Sequence, residues 1–450
     1  MSTEKTSRAG RDRWIAACAR VRNDAPAGTA WMDGLRTRAA ARFADVGFPT
    51  TRDEAWRCTS LQPVENGRFE AHPAPRPEAL TPDLFQQLTF EPWDCNHLVF
   101  LNGRYAPSLS RAAHLPAGVR LTSLAEAVVE EPGLVEPHLG RLADARARSV
   151  TDLNTALMSD GLFLHVPRGT VVQEPIHALF VSMANGAPAM SHPRNLLVLE
   201  EGAQASVVES YAGIDGGAYL TNTVTEIAAA DNAVVDHVRL VRETGAAIHL
   251  SHLEARLGRS AGVSSHVVSL GGGLVRHDVN AVLDGEGAEC TLNGLYVLDG
   301  AQHVDNHTLI DHARPNGTSR ELYKGVLDGR SRGIFDGTII VRPDAQKSDA
   351  RQVNRNLLLS EDSLADSKPT LEIHADDVKC SHAATIGQIE ENALFYLRSR
   401  GLSEEMARSL LVQAFVSDIL GRIRIGPVRA GLECLLFTRL PRHHPPRETA

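Results

Sequence analysis

The chain is poor in cysteine, in aromatic residues and in long apolar runs, and each shortage removes a class of protein. Six cysteines in 450 residues, at positions 18, 58, 95, 290, 380 and 434, form no CxxC pair and no dense framework. A disulfide-stapled scaffold is therefore excluded, and reduced thiols of a cytoplasmic protein are the expectation. Aromatic residues make up 5%, too few for exposed sugar-binding platforms. No stretch approaches the roughly 18 consecutive apolar residues of a membrane span. Residues 1–21 mix Glu4, Lys5, Arg8, Arg11, Asp12 and Arg13 without an apolar segment, so no secretory signal is expected, and the acids argue against a transit peptide. A net charge of −9 and a pI near 6.1 give no footprint for nucleic acid or anionic lipid. No GxxxxGK[ST] loop exists, since no lysine directly follows a glycine, so the chain is not expected to hydrolyse ATP. Gly271-Gly272-Gly273 and Gly285-Glu286-Gly287 are too short and wrongly placed for a dinucleotide fingerprint and read as turns.

What is present is ordinary soluble material, 43% hydrophobic and 22% charged, in a chain long enough for two or three structural units or one elongated repeat. Trp14, Cys18 and Val21, then Trp31, Leu35, Ala39 and Phe43, recur at helical spacing until Gly47 and Pro49. Three prolines in residues 72–77 predict an extended surface linker. Helical spacing returns with Leu124, Val128, Leu142 and Ala145. From Leu162 to Ile373 the chain becomes a succession of short Val-, Leu-, Ile- and Thr-rich runs. They are separated by Glu201-Gly202, Asp284-Gly285, Asp299-Gly300, Asp328-Gly329 and Asp336-Gly337, which predict tight turns. This all-β stretch suits a solenoid, a barrel or paired sandwiches, and no strict repeat period chooses among them. Past Ile386, Leu394 and Leu397 predict one helix, and Gly401 and Ser403 separate it from a second. The divisions are residues 1–95 helical, 96–160 connecting, 161–385 β core, 386–440 helical and 441–450 a disordered tail.

The chemistry concentrates in Asp376-Asp377-Val378-Lys379-Cys380-Ser381-His382-Ala383-Ala384-Thr385. In an extended segment Cys380 and His382 project from one face, close enough to share a soft metal or a sulfur species. Lys379 faces away, with its charge expected to help lower the thiol pKa. The bland alternative is a structural cysteine beside a hydrogen-bonded histidine. His303, His307 and His312, near Asp305 and Asp311, fit no tight ligand set on a strand and are expected to serve as structural hydrogen-bonding groups. Asp376-Asp377 and Glu390-Glu391 read as solvated turn or helix-start carboxylates rather than an acid/base pair.

The same stretch, continuing into Leu394-Phe395-Tyr396-Leu397-Arg398-Ser399-Arg400-Gly401, resembles the SufB/SufD family of iron-sulfur cluster assembly proteins. So do Leu98-Val99-Phe100-Leu101-Asn102-Gly103-Arg104-Tyr105, Asp305-Asn306-His307-Thr308-Leu309-Ile310-Asp311-His312, Ser319-Arg320-Glu321-Leu322-Tyr323-Lys324-Gly325, Val341 to Ala350 and Asn354 to Ser360. The matches run from Trp56 to Phe415. Residues 352–360 lack the cysteine that SufB-type chains carry upstream of the motif histidine, so the likeness is to SufD-type chains. Ala383 stands where the family commonly has glycine, and Cys58 where it more often has tyrosine.

The resemblance implies a mainly β fold, a right-handed parallel β-helix with N- and C-terminal helical regions. It implies a non-catalytic scaffold that pairs with a SufB-like subunit and cooperates with a SufC-like ABC ATPase; whether a homodimer forms when the SufB-like partner is missing is left open. It implies that Cys380 and His382 lie near the subunit interface as candidate ligands of a transient iron-sulfur cluster shared with the partner. A conventional cluster takes four thiolates, and the β region holds only Cys290 and Cys380. The resemblance also makes Leu410, Leu411, Ala414, Phe415 and Ile419 a candidate ATPase contact, against the plainer reading of an intramolecular core stripe. Flavin binding is left open. Two rivals stand beside this reading: a β-solenoid enzyme acting on polysaccharide, and a purely structural adaptor indifferent to loss of Cys380 and His382.

Overall fold

The computed structural model describes residues 2–439 except 24–29, 72–76, 91, 92, 94, 114, 144–148, 185 and 215. The predicted linker, apart from Pro77, together with Ala145 and the tail, lies outside the described residues. So does the side chain of Val21.

Strands alternate between two parallel sheets that wind into a β-solenoid of about eight turns. Along one sheet Leu220 pairs with Ile248, Ile248 with Leu274, Leu274 with His303, His303 with Arg332 and Arg332 with Leu364. A turn therefore takes from 26 residues, Ile248 to Leu274, to 32, Arg332 to Leu364. This variation explains why no period shows in the sequence. The stack also takes in Asn96–Leu101, which pairs with Ile176–Ser182.

Side-chain alternation sorts each strand into an interior and an exterior row. In the second sheet Ala205, Val235, Val263, Cys290, Ala350 and Cys380 pack into the interior cluster, while Val208, Val238, Leu240, Val268 and Leu295 face outward onto the C-terminal helices. The first sheet turns Leu220, Ile248 and Leu250 outward onto Trp14, Phe43, Trp56 and Leu61 of the N-terminal region. Strands clothed on both faces carry continuous apolar runs, and Leu162–Val166 and Ile176–Ser182 are buried at every position.

Glycine at 337 does a different job from the one its Asp-Gly pairing suggests. Gly337 lies inside the strand Arg332–Val341 rather than in a turn. A Cβ there would sit 2.4 Å from the Gln352 Nε2 and 2.6 Å from the Phe335 ring, so its bareness makes interior space. Gly202, Gly300 and Gly329 do adopt positive φ in turns, as expected.

The two ends of the solenoid differ. At the N-terminal end Arg120–Ser123 lies antiparallel on Leu162–Val166, and Arg104–Tyr105 pairs antiparallel with Asn96–Leu101. At the other end the strands Leu364–Ile373 and Lys379–Gly387 each pair on one side only. Every residue of Lys379–Gly387 is exposed except half-buried Cys380. An uncapped solenoid end is a pairing surface.

After the last strand come helices Glu391–Ser399, Glu404–Leu420 and Gly426–Arg439. Ser403 caps the second, its hydroxyl accepting from the Met406 N–H at 3.2 Å. The third, begun by Gly426-Pro427, was not foreseen; it buries Val428, Leu432 and Leu436 against the same sheet. Among the described residues no helix is long and apolar enough to cross a membrane.

Candidate functional site

Cys380 and His382 occupy the terminal strand Lys379–Gly387, in register with Ala350 and Gln352 of the strand Asp349–Leu358. Cys380 packs against the interior cluster, and His382, two residues on, shares its row. The thiol and imidazole thus stand together at the mouth of the solenoid, under no further strand. Ser381, between them, points to the outer face. Asp376, Asp377, Glu390 and Glu391 are exposed, and Glu390 is the N-cap position of the next helix.

A cleft of about 570 Å³ opens here, lined by Arg320, Asp349, Arg351, Lys379, Cys380 and His382 among others. Arg320 Nη2 meets Asp349 Oδ2 at 2.7 Å, and Arg320 and Arg351 are cross-strand neighbours. By alternation Arg320, Arg351 and Lys379 belong to the outer row with Ser381, on the face opposite the thiol. The thiol itself is not activated. Burial pushes the Cys380 pKa up and Asp349 adds to it, outweighing a backbone hydrogen bond from Ala350. The expectation that Lys379 lowers it is overturned: the ammonium is on the opposite face, and desolvation decides the direction. A metal would have to displace the proton.

The row beneath was missed from sequence. Gln352 and Glu321 continue the His382 row inward, in register. Both are buried, and Gln352 Nε2 donates to Glu321 Oε2 at 2.7 Å. Burial raises the Glu321 pKa to about 7. The available signal was polar residues alternating at core positions, Ser319, Glu321, then Gln352, Asn354.

Of the other histidines, His303 and His307 flank the hydrogen-bonded pair of Thr59 and Asp305, and His312 lies apart from them. His303 Nε2 lies 2.9 Å from Thr59 Oγ1, His307 Nε2 lies 3.0 Å from Asp305 Oδ1, and His312, facing the interior, meets Ser319 Oγ at 2.9 Å. Among the described residues no group of three or more His, Cys, Asp or Glu side chains is placed to hold a metal. Cys290 is wholly buried deep in the interior row, with its thiol pKa raised by burial. Cys58, partly buried in the N-terminal region, stands apart from the site.

The stripe on Glu404–Leu420 divides. Ile419 is buried against the second sheet with Val412 and Val416. Phe415 lies under Lys324, whose ammonium sits 4.8 Å from the ring centroid and donates to the Phe415 carbonyl at 2.8 Å and to Asp418 at 2.8 Å. Leu410 and Ala414 are exposed and Leu411 partly so, beside exposed Phe395, Tyr396 and Met406.

Comparison with known proteins decides the family. Residues 180–415 match the model of the SUF system FeS cluster assembly SufBD core domain, and residues 23–178 that of the SufBD protein N-terminal region. The chain belongs to the SufBD family of iron-sulfur cluster assembly proteins. It is 33% identical over 411 residues to an iron-sulfur cluster assembly SufBD family protein of Synechocystis, covering 88% of each chain. It is 30% identical to the iron-sulfur cluster assembly protein SufD of Escherichia coli, over 88% of this chain and 90% of that one. The SufD of Bacillus subtilis is 27% identical over 90% and 92%. SufBD membership accounts for the motif at 376–401, which the polysaccharide-enzyme reading left unexplained.

Proposed function

We propose that this SufBD chain is a non-catalytic SufD-type scaffold. It pairs end to end with a SufB-like subunit and receives a nascent iron-sulfur cluster, as cargo, on Cys380 and His382. One observation carries the reading: thiol and imidazole face into the mouth of the uncapped solenoid end, on a strand whose outer edge is unpaired. Two ligands are half of a four-ligand set, so a second chain aligned on that edge would supply the remainder. Of the two groups the half-buried thiol is the softer ligand.

His382→Ala, co-expressed with SufB-like and SufC-like partners, should still co-purify while iron and sulfide per complex fall about tenfold or more, the scale on which metal sites respond to lost support. An unchanged cluster content would refute the site. ATP hydrolysis is assigned to the SufC-like partner, docked on the exposed part of the C-terminal helices. Leu410→Glu, on an exposed face, should weaken retention of that ATPase in a pull-down by about tenfold, with under ~0.5 kcal/mol change in the chain's own stability. Equal retention would return the helices to a purely intramolecular role.

A further inference from the structure

Gln352 is wholly buried directly beneath His382, and its polar groups are only half used. The amide nitrogen is committed to Glu321 Oε2 at 2.7 Å. The carbonyl oxygen Oε1 is buried with no hydrogen-bond partner. Such an orphaned acceptor in a protein interior calls for an explanation. Gly337, across the interior, leaves the amide its room, since a Cβ there would come within 2.4 Å of Nε2. In the same row the next side chain outward is the imidazole of His382, which is exposed and makes no hydrogen bond of its own among the described residues.

A histidine that binds metal through one nitrogen characteristically donates its other N–H to a fixed acceptor, which selects the tautomer and the ring orientation. We propose that Gln352 is the positioning residue for His382: when the ring turns into the mouth, its non-ligating N–H donates to Gln352 Oε1, and Glu321 holds that amide in place. The inference rests on the reading of His382 as a ligand. It adds that the ligand is oriented from inside this chain rather than by the partner subunit. Burial raises the Glu321 pKa to about 7, so near neutral pH the carboxyl is partly protonated and the charge within the column is reduced.

The test uses the full chain with Zn(II) as the probe. Binding is measured by competition with a chromophoric chelator, and ring nitrogens are followed by NMR of ¹⁵N-histidine protein. His382→Ala identifies the signal and the share of binding that belongs to the site. In the native chain, zinc-bound His382 should show a single tautomer whose remaining N–H exchanges slowly with water. Gln352→Met, similar in size but without an acceptor, should keep the thermal transition yet lose that protection. It should also weaken the His382-dependent zinc affinity by about 10–100-fold. Gln352→Glu, which restores an acceptor and shares a proton with Glu321, should recover most of it.

If His382→Ala leaves zinc binding and cluster content unchanged, the ligand reading itself fails. If His382→Ala is impaired but Gln352→Met leaves affinity and N–H protection as in the native chain, only the orienting role is overturned. A Gln352→Glu variant no better than Gln352→Met, at equal thermal stability, overturns it as well.

Discussion

Arg239→Met is expected to cost the solenoid about 3–5 kcal/mol at neutral pH, the penalty for stranding one member of a buried ion pair. Arg239 and Glu209 are both wholly buried. The guanidinium donates to Glu209 Oε2 from Nε at 3.1 Å and from Nη2 at 3.0 Å. Tyr211 and Thr225 hydroxyls donate to the same carboxylate at 2.9 and 2.7 Å. Burial pushes the Glu209 pKa upward, but Arg239, the His237 contact and the Thr225 hydrogen bond together outweigh it and hold the carboxyl well below its ordinary value. His237, 3.3 Å away, cannot replace the cation, because burial favours its neutral form. Without Arg239 the carboxylate either stays charged inside or takes a proton. At pH 7, protonation of an ordinary glutamate costs about 3.7 kcal/mol, which sets the scale of the loss.

That escape route makes the defect depend on pH. In the variant Glu209 has a raised folded pKa, so its penalty is absent below the unfolded value and grows as pH rises. Urea unfolding followed by circular dichroism should therefore recover about 2–3 kcal/mol of the loss on going from pH 7 to pH 5. Adding Glu209→Gln should restore most of the stability at pH 7, with a coupling of at least about 2 kcal/mol. A loss under about 1 kcal/mol, or an equal loss at both pH values, would mean that water reaches Glu209.

This ion pair also marks where sequence reading stopped. Alternation and Gly-containing turns made the strands legible, and Gly202, Gly300 and Gly329 do turn where expected. The winding of the strands was carried by the resemblance, because turns of 26 to 32 residues leave no period to detect. Interior positions are ordinarily read as apolar, and Glu209, Arg239, Glu321 and Gln352 all point inward. Their partners lie on neighbouring strands, often about thirty residues away, so pairing had to be seen. Asp336-Gly337 was misread for the same reason: the glycine answers to Gln352 on the other sheet, not to its neighbour in sequence. At the site, the two-residue spacing of Cys380 and His382 was enough to put them on one face. That the face is the interior mouth, and that burial raises the thiol pKa there, follows only from the register of the last strand.

Acid should unfold the chain near pH 5, well above the range in which its salt bridges lose their carboxylates. Burial lowers the pKa of His177 and His192 to about 3 and of His266 and His312 to about 4. Each depressed histidine contributes stability that is present above its unfolded pKa, near 6.5, and is lost as pH falls toward the folded value. At pH 5 each has lost about 2 kcal/mol, so the four together lose about 8 kcal/mol. Glu321 works the other way: its raised pKa returns about 2 kcal/mol between pH 7.5 and 5. The balance is comparable to the whole stability of a typical domain, about 5–15 kcal/mol. His192 isolates the cause, because neither ring nitrogen has a partner and its only ring neighbour among the described residues is Trp14, edge-on at 6.3 Å. His192→Leu should cost about 1 kcal/mol or less at pH 7.5, where an aromatic contact is lost, yet gain about 2 kcal/mol relative to the native chain by pH 5. Its acid midpoint, followed by circular dichroism, should therefore move to lower pH. A native transition that waits until below pH 4, or a His192→Leu midpoint that stays in place, would show that neutral buried imidazoles are not what acid attacks.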